Sequence, residues 1–384
     1  MKVVLKKGKE KLVAMGHPWV FSGAVGSVEG KPDERGLCGV YSHNGGLLGT
    51  GYYNEKSAIR IRMLSKGSSF TAGDLRQRLS LAIERRCGLL TSDTDSCRVI
   101  NSEGDFLPGL TVDRYGSGIC LQIGTAGMEA WRAVIIDSLS EMLSPSFIYE
   151  RSDTEARKRE GLADSEGLIK GSLPDPLIIR ENGVSFLVNL VCGQKTGFFF
   201  DQRDSRALVR RYSAGRIVCD CFSYSGGFAV NAAKGGALSV AAVDASANAG
   251  KWLSQNAGIN GADINFTEAD VFSFLRQPGG GFDLLILDPP KFARHAGEVD
   301  RAARGYKDIN LAGFRKLTSG GLLFTFSCSN AVDPYLFRQI VFSAAADARR
   351  QAQLLHVLTA GPDHPVNIAH KEGEYLKGLV LRVF

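Results

Sequence analysis

From residue 186 onward the chain alternates short apolar runs with helical stretches, a pattern that few folds accommodate. The apolar runs are 216–220, 238–244, 264–268, 284–288 and 322–327. Between them lie stretches of helical character at 227–234, 245–257, 271–276 and 308–317. Strands that alternate with helices build a parallel sheet whose crossover helices cover both faces. In a doubly wound α/β sheet of this kind, ligands bind outside the carboxyl ends of the strands. The residues at those ends are the first candidates for chemistry.

The first run ends in Asp220 and continues Cys-Phe-Ser-Tyr-Ser-Gly-Gly-Phe. Its Ser225-Gly226-Gly227 turn lets backbone approach a ligand closely. It is not a GxGxxG fingerprint, which argues against a dinucleotide pyrophosphate. The second run ends in Asp244, where a carboxylate can accept hydrogen bonds from ribose hydroxyls. The third closes on Thr267-Glu268-Ala269-Asp270, and Asp270 can accept from an adenine amino group. Either aspartate alone reads as a helix N-cap. Both at successive strand ends, after a glycine turn, favour an adenosine-bearing ligand. The fourth run ends in Asp288-Pro289-Pro290-Lys291-Phe292, whose prolines stop the strand and stiffen the backbone around Asp288. The fifth leads into Ser327-Cys328-Ser329-Asn330, which sets a cysteine among small polar residues at a strand end. Cys219 and Cys221 fall within and beside an apolar strand and read as core.

Upstream, residues 1–70 carry β-like runs at 37–41, 47–53 and 58–64, with one helix at 8–15, and 66–73 reads as a linker. Residues 74–185 read as an α+β module. It has helices at 74–87 and 128–143, strands at 98–100, 109–112, 119–123 and 147–150, and no motif that suggests chemistry. Three domains follow: 1–70, 74–185 and 186–384. The net charge is +6, with basic ends around an acidic middle, which points to a polyanion partner. None of the eight cysteines forms a CxxC pair or a zinc-like cluster, so no metal is expected. No run of about 18 apolar residues occurs, so no membrane span is expected. Lysines interrupt the apolar N-terminal stretch, so a cytoplasmic protein is expected.

Taken together, D-C-F-S-Y-S-G-G-F (220–228), L-D-P-P-K-F (287–292), R-G-Y-K-D-I-N (304–310) and F-S-C-S-N (326–330) resemble the bacterial ribosomal RNA large-subunit methyltransferase I family. That family is similar in kind to RNA 5-methylcytosine methyltransferases. The resemblance extends to Lys195-Thr-Gly-Phe-Phe-Phe-Asp-Gln-Arg203, which looks like a cofactor-covering segment. It also extends to Gly16-His-Pro-Trp-Val-Phe21, which looks like the opening of a PUA RNA-binding domain. Phe200, in place of Leu, and Asn330, in place of a small residue, are departures.

The resemblance implies a Rossmann-like methyltransferase domain using S-adenosylmethionine, behind a β-rich PUA-like domain and a central α+β domain. Cofactor contacts are expected from Thr196, Gly197, Phe198, Asp220, Ser223, Gly226, Asp244, Ala245, Asp270 and Asp288. RNA contacts are expected from Lys6, Lys7, Lys9, Lys11, Lys291 and Arg294. The expected partner is large-subunit ribosomal RNA, with a homodimer left open. Carbon 5 of cytosine is a poor nucleophile until a thiolate adds at carbon 6. Cys328 is the expected nucleophile, with Asp288 bonding the base. The alternatives are methylation of an exocyclic amine, for which Cys328 would have no job, and a catalytically silent RNA-binding protein. A small-molecule methyltransferase leaves the basic N-terminal module unexplained.

Overall fold

The computed structural model describes every residue except Gln194, Lys195 and Arg294. The chain forms two compact units. One comprises Met1–Ile179, Val188–Phe200 and Pro362–Gly373; the other comprises Arg180–Leu187, Asp201–Gly361 and Glu374–Phe384.

The first unit holds two sheets. The strands Lys2–Leu5, Trp19–Phe21, Val25–Glu29, Leu37–Tyr41, Leu47–Tyr53 and Ile59–Ser65 form a six-stranded sheet around Val3, Leu5, Val20, Val40 and Ile61. The helix expected over 8–15 is shorter, Glu10–Ala14, because Gly8 adopts a left-handed φ of 82° that no helix can include. The strands Cys97–Asn101, Leu110–Tyr115, Gly118–Ile123, Phe147–Ser152 and Ser165–Gly171 form a five-stranded sheet. The helix Ala72–Arg86 packs Leu75 and Leu79 into its core, and Thr71 and Asp74 cap that helix reciprocally. The helix expected over 128–143 is two, Ala126–Glu129 and Arg132–Leu143. The buried Trp131 sits outside helical geometry at the break, in the same core.

The second unit is built on one mixed sheet. The helix α1 (Arg203–Tyr212) precedes β1 (Ile217–Cys221), α2 (Gly227–Lys234), β2 (Ser239–Asp244), α3 (Ala247–Asn260), β3 (Asn265–Glu268), α4 (Val271–Arg276) and β4 (Phe282–Leu287). Then come α5 (Val299–Lys316), β5 (Leu317–Ser327), α6 (Pro334–Asp347), β6 (Ala352–Leu358) and β7 (Lys377–Val383). The strand order is β3-β2-β1-β4-β5-β7-β6. The first five are parallel, and β7 lies antiparallel between β5 and β6. Successive side chains of a strand point to opposite faces. Accordingly Cys219, Leu285, Leu287 and Leu323 join Tyr306, Phe314 and Phe337 on one face. Val218, Leu284, Ile286 and Phe324 join Val209, Phe228 and Leu253 on the other. Both faces are covered by helices, as the near-continuous apolar strands require.

The structure differs from the three-part reading in grouping residues 1–179 into one unit and in giving that unit two later segments. The hydroxyl of Tyr115 donates to the carbonyl of Thr196 at 2.9 Å, and Thr196 Oγ1 donates to Asp113. Residues 362–373 join through Asp363, which accepts from the Arg98 amide at 3.1 Å and from Arg86 at 3.0 Å. Among the described residues no helix is long and apolar enough to cross a membrane.

Candidate cofactor and active site

The sheet of the second unit reverses direction of winding at β1, which has β2 on one side and β4 on the other. A crevice opens at such a switch point, outside the carboxyl ends of the strands. The ends align in register: Cys221 pairs with Val243 and Leu287, and Asp244 with Glu268. The turn after β1 is strongly bent. Phe222, Tyr224 and Gly226 have φ of 63°, 46° and 83°. Positive φ is uncommon outside glycine and marks a conformation that the surroundings impose. Gly226 has a further reason to be glycine, since a Cβ there would lie 2.9 Å from Leu253 Cγ.

Four carboxylates mark this edge. Asp220 is buried and accepts the Ala229 amide of α2 at 3.0 Å. Burial pushes its carboxyl well above the ordinary carboxylate range, the Ala229 amide opposes that, and the charges of Asp288 and Asp244 raise it further. Asp244 ends β2 and accepts the amides of Tyr224 and Ser246, both at 2.9 Å. Asp270 caps α4 through the Ser273 amide at 2.9 Å and is exposed. Asp288 follows β4 and accepts from Gln202 Nε2 at 3.2 Å. Gln202 falls in the segment 195–203 that the sequence marks as cofactor-covering, but its bond to Asp288 has no signal there, since it lies before α1 and far from any strand end.

Cys328 follows β5. It is half-buried, with Sγ 4.0 Å from the carbonyl of Pro289 in the Asp-Pro-Pro segment after β4. Ser329 is fully buried and fixed by Tyr306, their hydroxyls 2.9 Å apart. Lys377, at the start of β7, donates to the Ser329 carbonyl at 2.7 Å. In the sequence Lys377 stands directly before the short apolar run 378–381. Cys219 and Cys221 are fully buried between the helices and the sheet, as expected of core cysteines.

The remaining expected contacts are dispersed. Thr196, Gly197 and Phe198 belong to the first unit. There Thr196 is held by Tyr115 and Asp113, and Phe198 packs edge-on against Phe200 at 5.3 Å. Phe200 is fully buried against Tyr115 as well, which accounts for an aromatic at that position. Ala245 is exposed just past β2. Lys6, Lys7, Lys9 and Lys11 are exposed around the start of the helix Glu10–Ala14, and Lys291 is exposed after β4. Arg294 and Lys195 lie outside the described residues. Among the described residues no group of acidic, histidine and cysteine side chains is arranged to hold a metal.

The chain is 42% identical over its full length to the ribosomal RNA large subunit methyltransferase I of Shewanella denitrificans, covering all of that protein. It is 43% identical to the protein of the same name from Aeromonas salmonicida, over 99% of this chain and 98% of that one. The chain belongs to the ribosomal RNA large subunit methyltransferase I family. A family model described as an S-adenosylmethionine-dependent methyltransferase matches residues 163–379, and a PUA-like domain model matches residues 3–66. A Streptococcus mutans chain described as a SAM-dependent methyltransferase shares the fold at a TM-score of 0.86 and 22% identity, with both chains fully covered. A methyltransferase solved with S-adenosylhomocysteine matches at 0.87 and 22%.

Members of this family are S-adenosylmethionine-dependent methyltransferases, and the edge of the sheet suits that cofactor. Asp220 Oδ1 and Ser223 Oγ are buried with no hydrogen-bond partner. Orphaned polar atoms of this kind are costly unless a ligand satisfies them. The cofactor carries ribose hydroxyls, amino groups and a sulfonium charge. These are donors and positive charge that a cluster of carboxylates can accept.

Proposed function

We propose that this protein methylates carbon 5 of a cytosine in large-subunit ribosomal RNA, with Cys328 as the covalent nucleophile. The observation that carries the reading is the placement of Cys328. Of the three cysteines of the second unit, Cys219, Cys221 and Cys328, it alone is not fully buried, and its sulfur faces the Asp288-Pro289-Pro290 segment. The relatives' shared name and the PUA-like model support an RNA substrate.

In this reading Asp220, Ser223, Gly226, Asp244, Ala245 and Asp270 hold the cofactor. When bound, the cofactor supplies a methyl group made electrophilic by the adjoining sulfonium. The Cys328 thiolate adds to carbon 6 of the base and gives carbon 5 the electron density to attack the methyl group; loss of the carbon-5 proton to solvent then expels the Cys328 thiolate from carbon 6 and restores the ring. Asp288, steadied by Gln202, accepts a hydrogen bond from the amino group or protonated ring nitrogen of that base. Lys6, Lys7, Lys9, Lys11, Lys291 and Arg294 bind phosphates.

Cys328→Ala decides the chemistry. The variant removes one small group and is expected to fold, at a cost of about 1–2 kcal/mol. It is expected to bind S-adenosylmethionine normally and to form no 5-methylcytosine. RNA carrying 5-fluorocytosine at the target is expected to trap a covalent adduct with the wild type only. Substantial turnover by Cys328→Ala would refute the covalent route and favour methylation of an exocyclic amine.

A further inference from the structure

Lys377 is a lysine in the core of a sheet. Its Cα is paired with that of Ser327 across β5 and β7, and only 6% of the residue is exposed. The side chain reaches past the end of β5, and Nζ donates to the carbonyl of Ser329 at 2.7 Å. The residue between those two contacts is Cys328. A buried ammonium whose hydrogen bond goes to a neutral carbonyl is costly unless an anion lies nearby. The charged and titratable groups that act on it are Cys328 after β5, Lys291 after β4, Asp333 at the head of α6 and Glu374 before β7. Asp333 and Glu374 form no ion pair with it among the described contacts. Burial depresses the Lys377 ammonium to about 8, and Cys328 is the strongest of the influences that raise it again.

We propose that Lys377 is the positioning residue that holds Cys328 as a thiolate in the resting enzyme. The S–H bond breaks, the proton leaves to solvent, and the Lys377 ammonium balances the charge left on sulfur. The thiolate is the form that can add to carbon 6 of a pyrimidine. The proposal rests on Cys328 being the nucleophile. It explains why the strand Lys377–Val383, which continues with Gly378, Leu379, Val380 and Leu381, begins with a buried cation.

The test is the pH profile of alkylation by iodoacetamide, followed residue by residue by peptide mass spectrometry in the full-length protein. The exposed Cys87 serves as internal reference. In the wild type the midpoint for Cys328 is expected at least about one pH unit below that of Cys87, a roughly tenfold difference in thiolate fraction near neutrality. Lys377→Met is expected to raise the Cys328 midpoint by about a unit or more and leave Cys87 unchanged. Lys377→Arg keeps the charge and is expected to keep the low midpoint. A Cys328 midpoint in Lys377→Met equal to that of the wild type overturns the proposal. So does a wild-type midpoint matching that of Cys87, a comparison that needs no variant to fold. The two readings fail separately. Methylation by Cys328→Ala removes the nucleophile assignment, whereas an inactive Cys328→Ala with unmoved Lys377→Met alkylation removes only the role of Lys377.

Discussion

Asp220 is fully buried one residue before the end of β1, where Asp244 and Asp288 add charge of its own sign. Its folded pKa lies above the unfolded value, so burying the carboxylate costs stability once pH rises past the ordinary range near 4. Asp220→Asn is expected to melt at a higher temperature than the wild type at pH 7, with the gain vanishing below about pH 4. Its affinity for S-adenosylmethionine is expected to fall roughly ten- to hundredfold, the value of about 1.5–3 kcal/mol for a charged hydrogen bond. Melts across pH and calorimetry check both, and a destabilised variant with intact affinity would contradict the assignment. Lys377 has the opposite sign of shift, from an ordinary 10.5 down to about 8. The unfolded chain binds the extra proton, so the penalty is complete below pH 8 and relieved as pH rises toward 10.5. Lys377→Met is expected to be the more stable protein at pH 7, by a margin that narrows between those two values. A margin that widens there would mean the lysine is not depressed.

The turn Phe222–Gly226 joins β1 to α2 and sets the backbone of the cofactor edge. Gly226→Ala would need a side chain at φ 83° and 2.9 Å from Leu253. It is expected to cost about 1–3 kcal/mol of stability and to weaken cofactor binding. Denaturant titration checks the first part, and an unchanged midpoint would show that the turn relaxes without strain. The five parallel strands were legible because strands covered on both faces read as unbroken apolar runs. The antiparallel pair β6 and β7 was not legible. β6 has no buried residue, and β7 pairs with β5 from Ser327–Lys377 to Gly321–Val383, a long-range match that no local pattern signals. α5 begins at Val299, well before the expected 308; the charged residues and Gly305 within 299–307 mask it from an apolar reading. That glycine has a packing reason: a Cβ there would stand 3.1 Å from the ring of Phe292. That Asp220, Asp244, Asp288 and Cys328 fall at or just past strand ends was legible, because each closes or follows an apolar run. The contacts of Gln202 with Asp288 and of Lys377 with Ser329 could not, since each reaches its partner from a distant stretch of chain.

At the scale of the whole molecule the charge distribution bears on RNA. Lys6, Lys7, Lys9 and Lys11 are exposed on the PUA-like sheet unit. Replacing all four by Gln is expected to weaken RNA binding and to reduce the slope of log affinity against log salt by about 3, at roughly 0.7–0.9 per phosphate contact. Cofactor binding is expected to be unchanged. Filter binding over a salt series reads the slope, and an unaltered slope would place the RNA contacts elsewhere. The way the backbone is shared between units has a different consequence. It passes from one unit to the other five times, at 179/180, 187/188, 200/201, 361/362 and 373/374. Recombination between genes moves contiguous stretches, and neither compact unit is one. A fusion that borrowed only residues 201–361 would inherit a sheet without β7, the strand that joins β5 to β6 and carries Lys377. A transfer of either unit alone would therefore have to move three separate stretches of chain.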